Sequence, residues 1–317
     1  PFSIYALSAA QEAVDSSNLN LEDINLDRAG VVIATGIGGI RTLENEHDII
    51  NNKGPRRVSP LFVSKMIPNI AGGHLSMKFG FRGPSQTIIS ACASSNDAIG
   101  IALRLIRYGD ADIILTGGTE ASITPLTISG FANMKALSQN CTNPTKASRP
   151  FDADRDGFVL SEGAGILMLE SEEHALKRDA PILAELAGYG STDDAFHITQ
   201  PAPEGLGANK AMKIALLDAN LLPNDINYIN AHGTSTPFND KNESIAISKV
   251  FKNNINKLKV SSTKSMTGHL LGAAGGIEAI ATVKAIQNNI IPPTINYDKP
   301  DPNCNLYYTP NKYEKHQ

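Results

Sequence analysis

With 317 residues, the chain is long enough for about two domains and a large buried core. Hydrophobic residues account for 41% of the chain and charged residues for 19%, a balance that excludes a disordered or fibrous protein. The net charge of -4 argues against a general binder of nucleic acids or membranes.

Short apolar runs predict the strands of an α/β protein. In chain order these runs cover 29–35, 86–91, 112–116, 163–170, 184–189, 226–231 and 259–262. Helical periodicity opens the chain and returns over 95–108, 171–178, 207–220, 239–251 and 272–288. Continuous strands that alternate with helices predict buried, largely parallel sheet covered by helices on both faces.

The charged stretch 171–181 is the best point at which to divide the chain. We therefore predict an N-terminal half, 1–178, and a C-terminal half, 179–317. Each half contains a short strand that leads into a turn of small residues with a reactive side chain, Cys92 in one and His232 in the other. This parallel hints at an internal duplication, although only the architecture repeats.

Cysteine use favours a reducing compartment, and hydropathy argues against a membrane span. Three scattered cysteines are too few for a disulfide framework or a zinc site, so we expect a cytoplasmic protein, with an organelle left open. No apolar run approaches the about 20 residues that cross a bilayer, and no signal peptide opens the chain. The chain begins at Pro1, already inside a helical pattern, so we expect that upstream sequence is missing.

The segment "SQTIISACASSNDAIG", 85–100, places Cys92 between a predicted strand and a predicted helix. At that point the unpaired N–H groups and positive dipole end of the helix would favour the thiolate that a nucleophile needs. The alternative is a core thiol, since unpaired cysteines are among the most buried residues of proteins. This segment alone leaves both interpretations open.

Two further segments carry reactive side chains. "INAHGTSTPFND", 229–240, places His232 after a strand, and "VSSTKSMTGHLLGAAGG", 260–276, contains Lys264 and His269. Histidines at strand ends are often only hydrogen-bonded structural residues. Both segments nevertheless consist mainly of small and hydroxyl residues, which let a ligand approach the backbone. Together with the segment around Cys92, they favour a catalytic site.

Other motifs are excluded or undecided. "TGIGGI", 35–40, fails the dinucleotide-binding spacing at its last glycine, so a nicotinamide cofactor is not expected. No two of the histidines other than His232 and His269 have the spacing of metal ligands, and we predict no metal site. The arginine pair in "GPRRVSP", 54–60, is by itself typical of a solvated turn.

The motifs in their order resemble the β-ketoacyl-[acyl-carrier-protein] synthases, condensing enzymes of type II fatty acid synthesis. The resemblance rests on "ACASS" at Cys92, "RPFDADRDGFVLSEGAG" at 149–165, "NAHGTSTPFND" at His232 and "SSTKSMTGHLLGAAGG" at Lys264 and His269. It runs in order from the first residues to about Tyr308.

The resemblance implies a thiolase-like fold, with two related α/β halves in a five-layer α-β-α-β-α arrangement, usually as a homodimer. Both halves are expected to be incomplete, because the chain starts after the family's first strand and helices. It also ends at "NKYEKHQ", without the family's closing glycine-rich segment. If the working protein lacked these ends, we would expect poor catalysis.

The resemblance also assigns the site residues. It implies Cys92 as the nucleophile, His232 and His269 as the paired histidines, and Lys264 as the nearby cation. The other implied positions are Glu278 as the acidic residue after the second histidine, Phe158 beside the reaction centre, Thr234 and Thr236 on the pantetheine arm, Ile37 and Phe131 in the acyl pocket, and Arg56, Arg57 and Lys135 at the docking site of an acidic acyl carrier protein.

The implied reaction is a decarboxylative condensation. An acyl group on the cysteine reacts with malonyl-[acyl-carrier-protein] and gives a 3-oxoacyl product that is longer by two carbons. No cofactor of the enzyme's own is implied, because the phosphopantetheine arm belongs to the acyl carrier protein.

Alternatives stay open at this point. One is a catalytically silent ketosynthase-like subunit, although such subunits typically lose the nucleophile that is present here. A polyketide ketosynthase is another. A cysteine hydrolase is disfavoured, because two histidines with a lysine suit condensation better than water activation.

Overall fold

The computed structural model describes residues 1–316, in two compact units that are each assembled from separate stretches of chain. The first unit contains Pro1–Ser129, Ser161–Leu183 and Leu270–Ile280. The second contains the described residues between and after these stretches. The predicted halves 1–178 and 179–317 stay a prediction, and the last residue of the second half, Gln317, lies outside the described residues.

The helices and strands are numbered in chain order. The strands are β1 (Ala29–Ala34), β2 (Ser85–Ile88), β3 (Ile113–Glu120), β4 (Gly163–Glu170), β5 (Tyr228–Asn230), β6 (Lys259–Ser261), β7 (Ile290–Ile291) and β8 (Glu314–Lys315). The α-helices are α1 (Phe2–Ser16), α2 (Ile40–Lys53), α3 (Phe62–Met66), α4 (Ile70–Phe79), α5 (Ser94–Arg107), α6 (Pro125–Asn133), α7 (Glu172–Lys177), α8 (Leu206–Asp218), α9 (Pro237–Val250), α10 (Lys264–Thr267) and α11 (Ala274–Asn288).

The first unit is built on a four-stranded sheet in the order β2-β1-β3-β4. Strand β1 pairs in parallel with β2 and with β3, while β4 pairs antiparallel with β3. In this register Val31 lies beside both Ser85 and Leu115. The sheet is thus largely parallel, as the sequence predicts, with one antiparallel strand at its edge.

Helices cover both faces of this sheet, which explains why β1 is apolar at every position. Val31 and Ile33 belong to a core shared with α1 and α4, whereas Val32 and Ala34 pack in a second cluster with residues of α5. All six residues of β1 are buried. Alternate side chains of an extended strand point to opposite faces, so both sets of positions must be apolar here.

The second unit contains the parallel pair β5–β6 and the antiparallel pair β7–β8. Its core includes Phe151 and Tyr308, whose rings stack with their centroids 4.0 Å apart. Ile247 of α9 and Val260 of β6 belong to the same cluster. This core holds β5 and β6, and the segments that follow these two strands carry His232 and Lys264.

The strand predicted at 184–189 is wrong. The segment runs alongside α8 in an irregular conformation, and the Tyr189 N–H donates to the Asp218 carboxylate. A Cβ on Gly188 would lie 2.6 Å from the carbonyl oxygen of Ala215, so the backbone itself packs on the helix. The segment lies outside the described strands, and its glycine backbone packs against α8. Among the described helices, none has the length and apolar character needed to cross a membrane.

Candidate active site

Cys92 lies in the first unit, in a tight connection between β2 and α5. It is the middle residue of the 3-10 turn Ala91–Ala93 and is partly exposed. The Ser90 N–H donates to the Ser94 hydroxyl at 2.8 Å, and that hydroxyl donates to the Ala91 carbonyl at 2.6 Å. Ala91 has a φ of +51°, a left-handed conformation that is uncommon outside glycine. The connection therefore holds the thiol immediately before the first turn of α5.

Two other predicted site residues belong to the first unit. Ile37 follows β1 in a loop, and its N–H donates to the Glu120 carboxylate at 3.2 Å. Glu278 lies on α11 and is partly exposed. The functional roles expected of both residues stay predictions.

In the second unit, His232 follows β5 and its backbone is held by a carboxylate of α9. The His232 N–H donates to one oxygen of Glu243 at 2.7 Å, and the Gly233 N–H donates to the other at 2.8 Å. The Ser262 hydroxyl donates to the Gly233 carbonyl at 2.7 Å. These bonds fix the backbone on both sides of the His232 Cα atom. The direction of the Cα–Cβ bond that carries the imidazole is therefore fixed as well.

Lys264 sets the tautomer of His232. Its side chain is buried, and Nζ lies 3.3 Å from Nδ1 of the imidazole. An ammonium group has only donors, so Nδ1 accepts and the proton of the neutral ring resides on Nε2. The lysine backbone is anchored by Ser148, whose hydroxyl donates to the Lys264 carbonyl at 2.6 Å.

His269 faces His232 at close range. It follows Gly268, which has a φ of +71°, and its N–H donates to the Val159 carbonyl at 2.7 Å. The two imidazoles meet edge to face, with centroids 5.3 Å apart and an interplanar angle of 86°. His269 is only 2% exposed, so its ring is held by protein on nearly every side.

Both imidazoles are neutral at neutral pH. Burial lowers the pKa of His232 well below its ordinary value, with further lowering by the charge of Lys264 and by His269. Burial and then the charge of Lys264 lower the pKa of His269 to about 3. A neutral imidazole carries one N–H donor, so each ring can donate one hydrogen bond to a bound oxygen.

Two phenylalanines extend this cluster. Phe158 is buried and contacts His269 edge to face, with centroids 5.2 Å apart. Phe131 meets Phe158 in the same manner at 5.3 Å. The histidines of the second unit therefore adjoin apolar surface, which lowers the local access of water.

Thr234 and Thr236 form a hydroxyl pair just after His232. Their Oγ1 atoms lie 2.9 Å apart, and one hydroxyl donates to the other. Such a pair offers one further donor or acceptor to a polar ligand.

The predicted docking residues are exposed. Arg56 and Arg57 occupy the 3-10 turn Pro55–Arg57, and Lys135 follows α6 with a φ of +55°. Exposed cations in turns suit recognition of an acidic surface, and their docking role stays a prediction.

Sequence reasoning missed Glu243. The signal was available, because Asp240, Glu243, Ser244 and Ile247 recur at helical spacing on α9 and place a carboxylate beside the buried face of that helix. Its pKa is raised by burial, against the lowering effect of the two N–H donors. An acidic residue in such a place requires the donors that the His232 segment supplies.

Comparison with known proteins supports a single family. Residues 1–175 match the model of the beta-ketoacyl synthase N-terminal domain, and residues 183–298 match that of the C-terminal domain. The 3-oxoacyl-[acyl-carrier-protein] synthase 2 of Synechocystis sp. is 50% identical over 98% of this chain and 74% of its own length. The protein of that name from Staphylococcus aureus is 51% identical, over 98% and 75%.

Solved structures agree with the sequence relatives. A ketosynthase solved in complex with its type II PKS acyl-carrier protein superposes with a TM-score of 0.96 at 40% identity. The match covers 99% of this chain and 79% of that one. The fold is therefore that of the ketosynthases, and the chain belongs to the beta-ketoacyl synthase family.

Proposed function

We propose that this protein catalyses the decarboxylative condensation of an acyl group, carried on Cys92, with malonyl-[acyl-carrier-protein]. The product is a 3-oxoacyl-[acyl-carrier-protein], and the reaction elongates a fatty acid chain. Family membership makes the chain a condensing acyltransferase. The observation that carries the proposal is the neutral pair His232 and His269, with the tautomer of one ring set by Lys264.

Acyl transfer needs little from the protein beyond a nucleophile and an oxyanion site. The Cys92 thiolate attacks the carbonyl carbon of the acyl-carrier thioester, a new C–S bond forms, and the carrier thiolate leaves. One thioester replaces another, so the step is nearly balanced in free energy. N–H groups at the start of α5 can stabilise the oxyanion.

Condensation needs stabilisation of an enolate. Loss of carbon dioxide from the malonyl group leaves an electron pair on the α-carbon and negative charge on the thioester oxygen. The Nε2–H of His232 and an N–H of His269 would donate to that oxygen. The carbanion then attacks the acyl carbonyl, a C–C bond forms, and the Cys92 thiolate leaves.

Fatty acid elongation is favoured over polyketide synthesis by identity. The chain shares 50% and 51% identity with the two 3-oxoacyl-[acyl-carrier-protein] synthases, against 40% with the ketosynthase of the PKS complex. A polyketide ketosynthase stays the second candidate, because that complex superposes so closely.

The proposed partner is an acyl carrier protein, which would dock on Arg56, Arg57 and Lys135. The complex of the related ketosynthase with an acyl-carrier protein supports this choice. We also propose a homodimer, on family membership, which light scattering of the purified protein would test. A cytoplasmic location stays a prediction.

A labelled acyl-carrier protein tests the function. The full-length protein should gain one acyl group by mass, and addition of malonyl-carrier should release a 3-oxoacyl product. Cys92→Ala should abolish the adduct, whereas Cys141→Ala, at an exposed thiol, should retain it. Condensation retained by Cys92→Ala would refute the nucleophile. No adduct on the unaltered protein would indicate a silent subunit, and successive unreduced extensions would indicate polyketide synthesis.

A further inference from the structure

The glycine-rich loop after β1 wraps around a buried carboxylate. Glu120, the last residue of β3, has no exposed surface. One carboxylate oxygen, Oε2, accepts from the N–H of Gly36 at 2.7 Å and from that of Gly272 at 3.1 Å. The other, Oε1, accepts from the N–H of Ile37 and from the hydroxyl of Thr35, both at 3.2 Å.

The donors around Glu120 match a carboxylate and no other side chain. An ionised carboxylate only accepts and has about four lone-pair sites, and it meets three N–H groups and one hydroxyl here. The Thr35 hydroxyl in turn accepts from the Gly38 N–H at 3.1 Å. A Cβ on Gly36 would lie 2.7 Å from Oε2, so the loop needs glycine to reach the carboxylate. The motif that failed as a dinucleotide loop is therefore built around Glu120.

We propose that Glu120 is a positioning residue for acyl-chain selection, acting through the backbone of Ile37. This inference rests on the proposed function and on the place in the acyl pocket that the family resemblance implies for Ile37. Glu120 accepts hydrogen bonds from the backbone N–H of Ile37 and from that of the preceding residue, Gly36. It therefore holds the backbone from which the side chain of Ile37 projects. Loss of this anchor would let the loop shift and would blur the discrimination between acyl chains of different length.

The substitution Glu120→Gln weakens one half of the anchor selectively. A glutamine amide has one acceptor oxygen and one NH2 group. If NH2 replaced Oε2, it would face the N–H groups of both Gly36 and Gly272. The amide is therefore expected to place NH2 at the Oε1 position, where Thr35 can rotate to accept but the Ile37 N–H loses its acceptor. The variant thus removes the bond to Ile37 and keeps the other two N–H bonds.

The test compares kcat/KM for a long and a short saturated acyl-carrier in the full-length protein. In Glu120→Gln the ratio of the two values should move toward one by about fivefold, as expected for one hydrogen bond of ordinary strength. An unchanged ratio overturns the proposal.

A double-mutant cycle separates positioning from a general structural effect. In an Ile37→Ala background, adding Glu120→Gln should change the ratio by less than about twofold, because the pathway through Ile37 is already lost. An equal effect in both backgrounds overturns the proposal. The matched control is Glu170→Gln, a carboxylate of β4 that binds Arg178 at 2.6 Å, which should leave the ratio unchanged. A shift as large in this control also overturns it.

A second variant covers a failure of Glu120→Gln to fold. Thr35→Val keeps the side-chain shape but removes the hydroxyl that donates to Oε1 and accepts from Gly38. It should shift the ratio in the same direction, and an unchanged ratio in the folded protein counts against the proposal. A failure of the proposed function would give a different result, because the unaltered protein would then elongate neither acyl-carrier.

Discussion

The ammonium of Lys264 lies 3.3 Å from Nδ1 of His232 and fixes which ring nitrogen carries the proton. In the proposed mechanism, Nε2–H is the donor to the substrate oxygen. The backbone of the same histidine is held by Glu243, so side chain and main chain are oriented by separate partners.

Lys264→Met should impair condensation and spare acyl transfer. Loss of a positioned donor to an oxyanion typically costs about 100-fold or more in kcat. The pKa values of His232 and His269 should both rise, because the positive charge that lowers them is gone. NMR titration of the imidazoles and single-turnover kinetics would measure the two effects. Lys259→Met, at a lysine paired with Glu314, is the control, and normal condensation in Lys264→Met would contradict the assignment.

The buried imidazoles should make the protein less stable in acid. In the unfolded chain His269 gains a proton near its ordinary pKa of 6.5, whereas in the folded chain its pKa is about 3. The unfolded state therefore binds more protons between these values, and the free energy of unfolding falls as pH decreases through this window. For one such group the slope is about 1.4 kcal/mol per pH unit.

His269→Asn should reduce that slope, as measured by urea unfolding at several pH values. The matched control is His47→Asn, which makes the same substitution at an exposed histidine outside the buried site. An identical pH dependence in His269→Asn and the unaltered protein would show that the imidazole titrates normally in the fold.

Glu243→Gln should destabilise the second unit. A glutamine retains one acceptor oxygen, so either the N–H of His232 or that of Gly233 would face an NH2 group. Leaving one such donor unsatisfied costs about 1 to 3 kcal/mol in the free energy of unfolding. Urea unfolding measures this loss, with Glu204→Gln, an exposed partner of Lys249, expected to show no change. Equal stability of both variants would refute the role of Glu243.

Charge reversal at Arg56 and Arg57 should raise KM for an acyl-carrier with little change in kcat. Exposed charges steer an encounter and are screened by salt, so the defect should shrink as ionic strength rises. The double variant Lys177→Glu and Lys213→Glu makes the same change in net charge at other exposed positions. A similar KM for both double variants would mean that net charge matters and the docking site does not.

The sequence predicted those features that depend on local pattern. The strand and helix around Cys92 follow from an apolar run and from helical periodicity, and the buried position of β1 follows from its lack of any polar residue. The family motifs then assigned catalytic roles to the histidines and the lysine, and these roles stay predictions. These features need only neighbours in the sequence.

Features that depend on distant partners could not be predicted in this way. The role of Glu120 rests on the N–H groups of Gly36 and Gly272, which lie 84 and 152 positions away in the chain. The apolar segment 184–189 has a composition that suits either a strand or a surface against a helix, and only the packing on α8 decides between them. Periodicity carries no information about which element will supply a partner.

The stretch Leu270–Ile280 completes the first unit although it is among the later parts of the chain to be synthesised. A Cβ on Gly165 would lie 2.5 Å from the backbone of Gly276, so the backbone of β4 packs directly against that stretch. When the four strands of this sheet have been synthesised, the stretch Leu270–Ile280 that packs on the sheet is still missing. We expect the nascent chain to depend on chaperones at this stage, and an mRNA truncated after the β4 codons to yield insoluble protein.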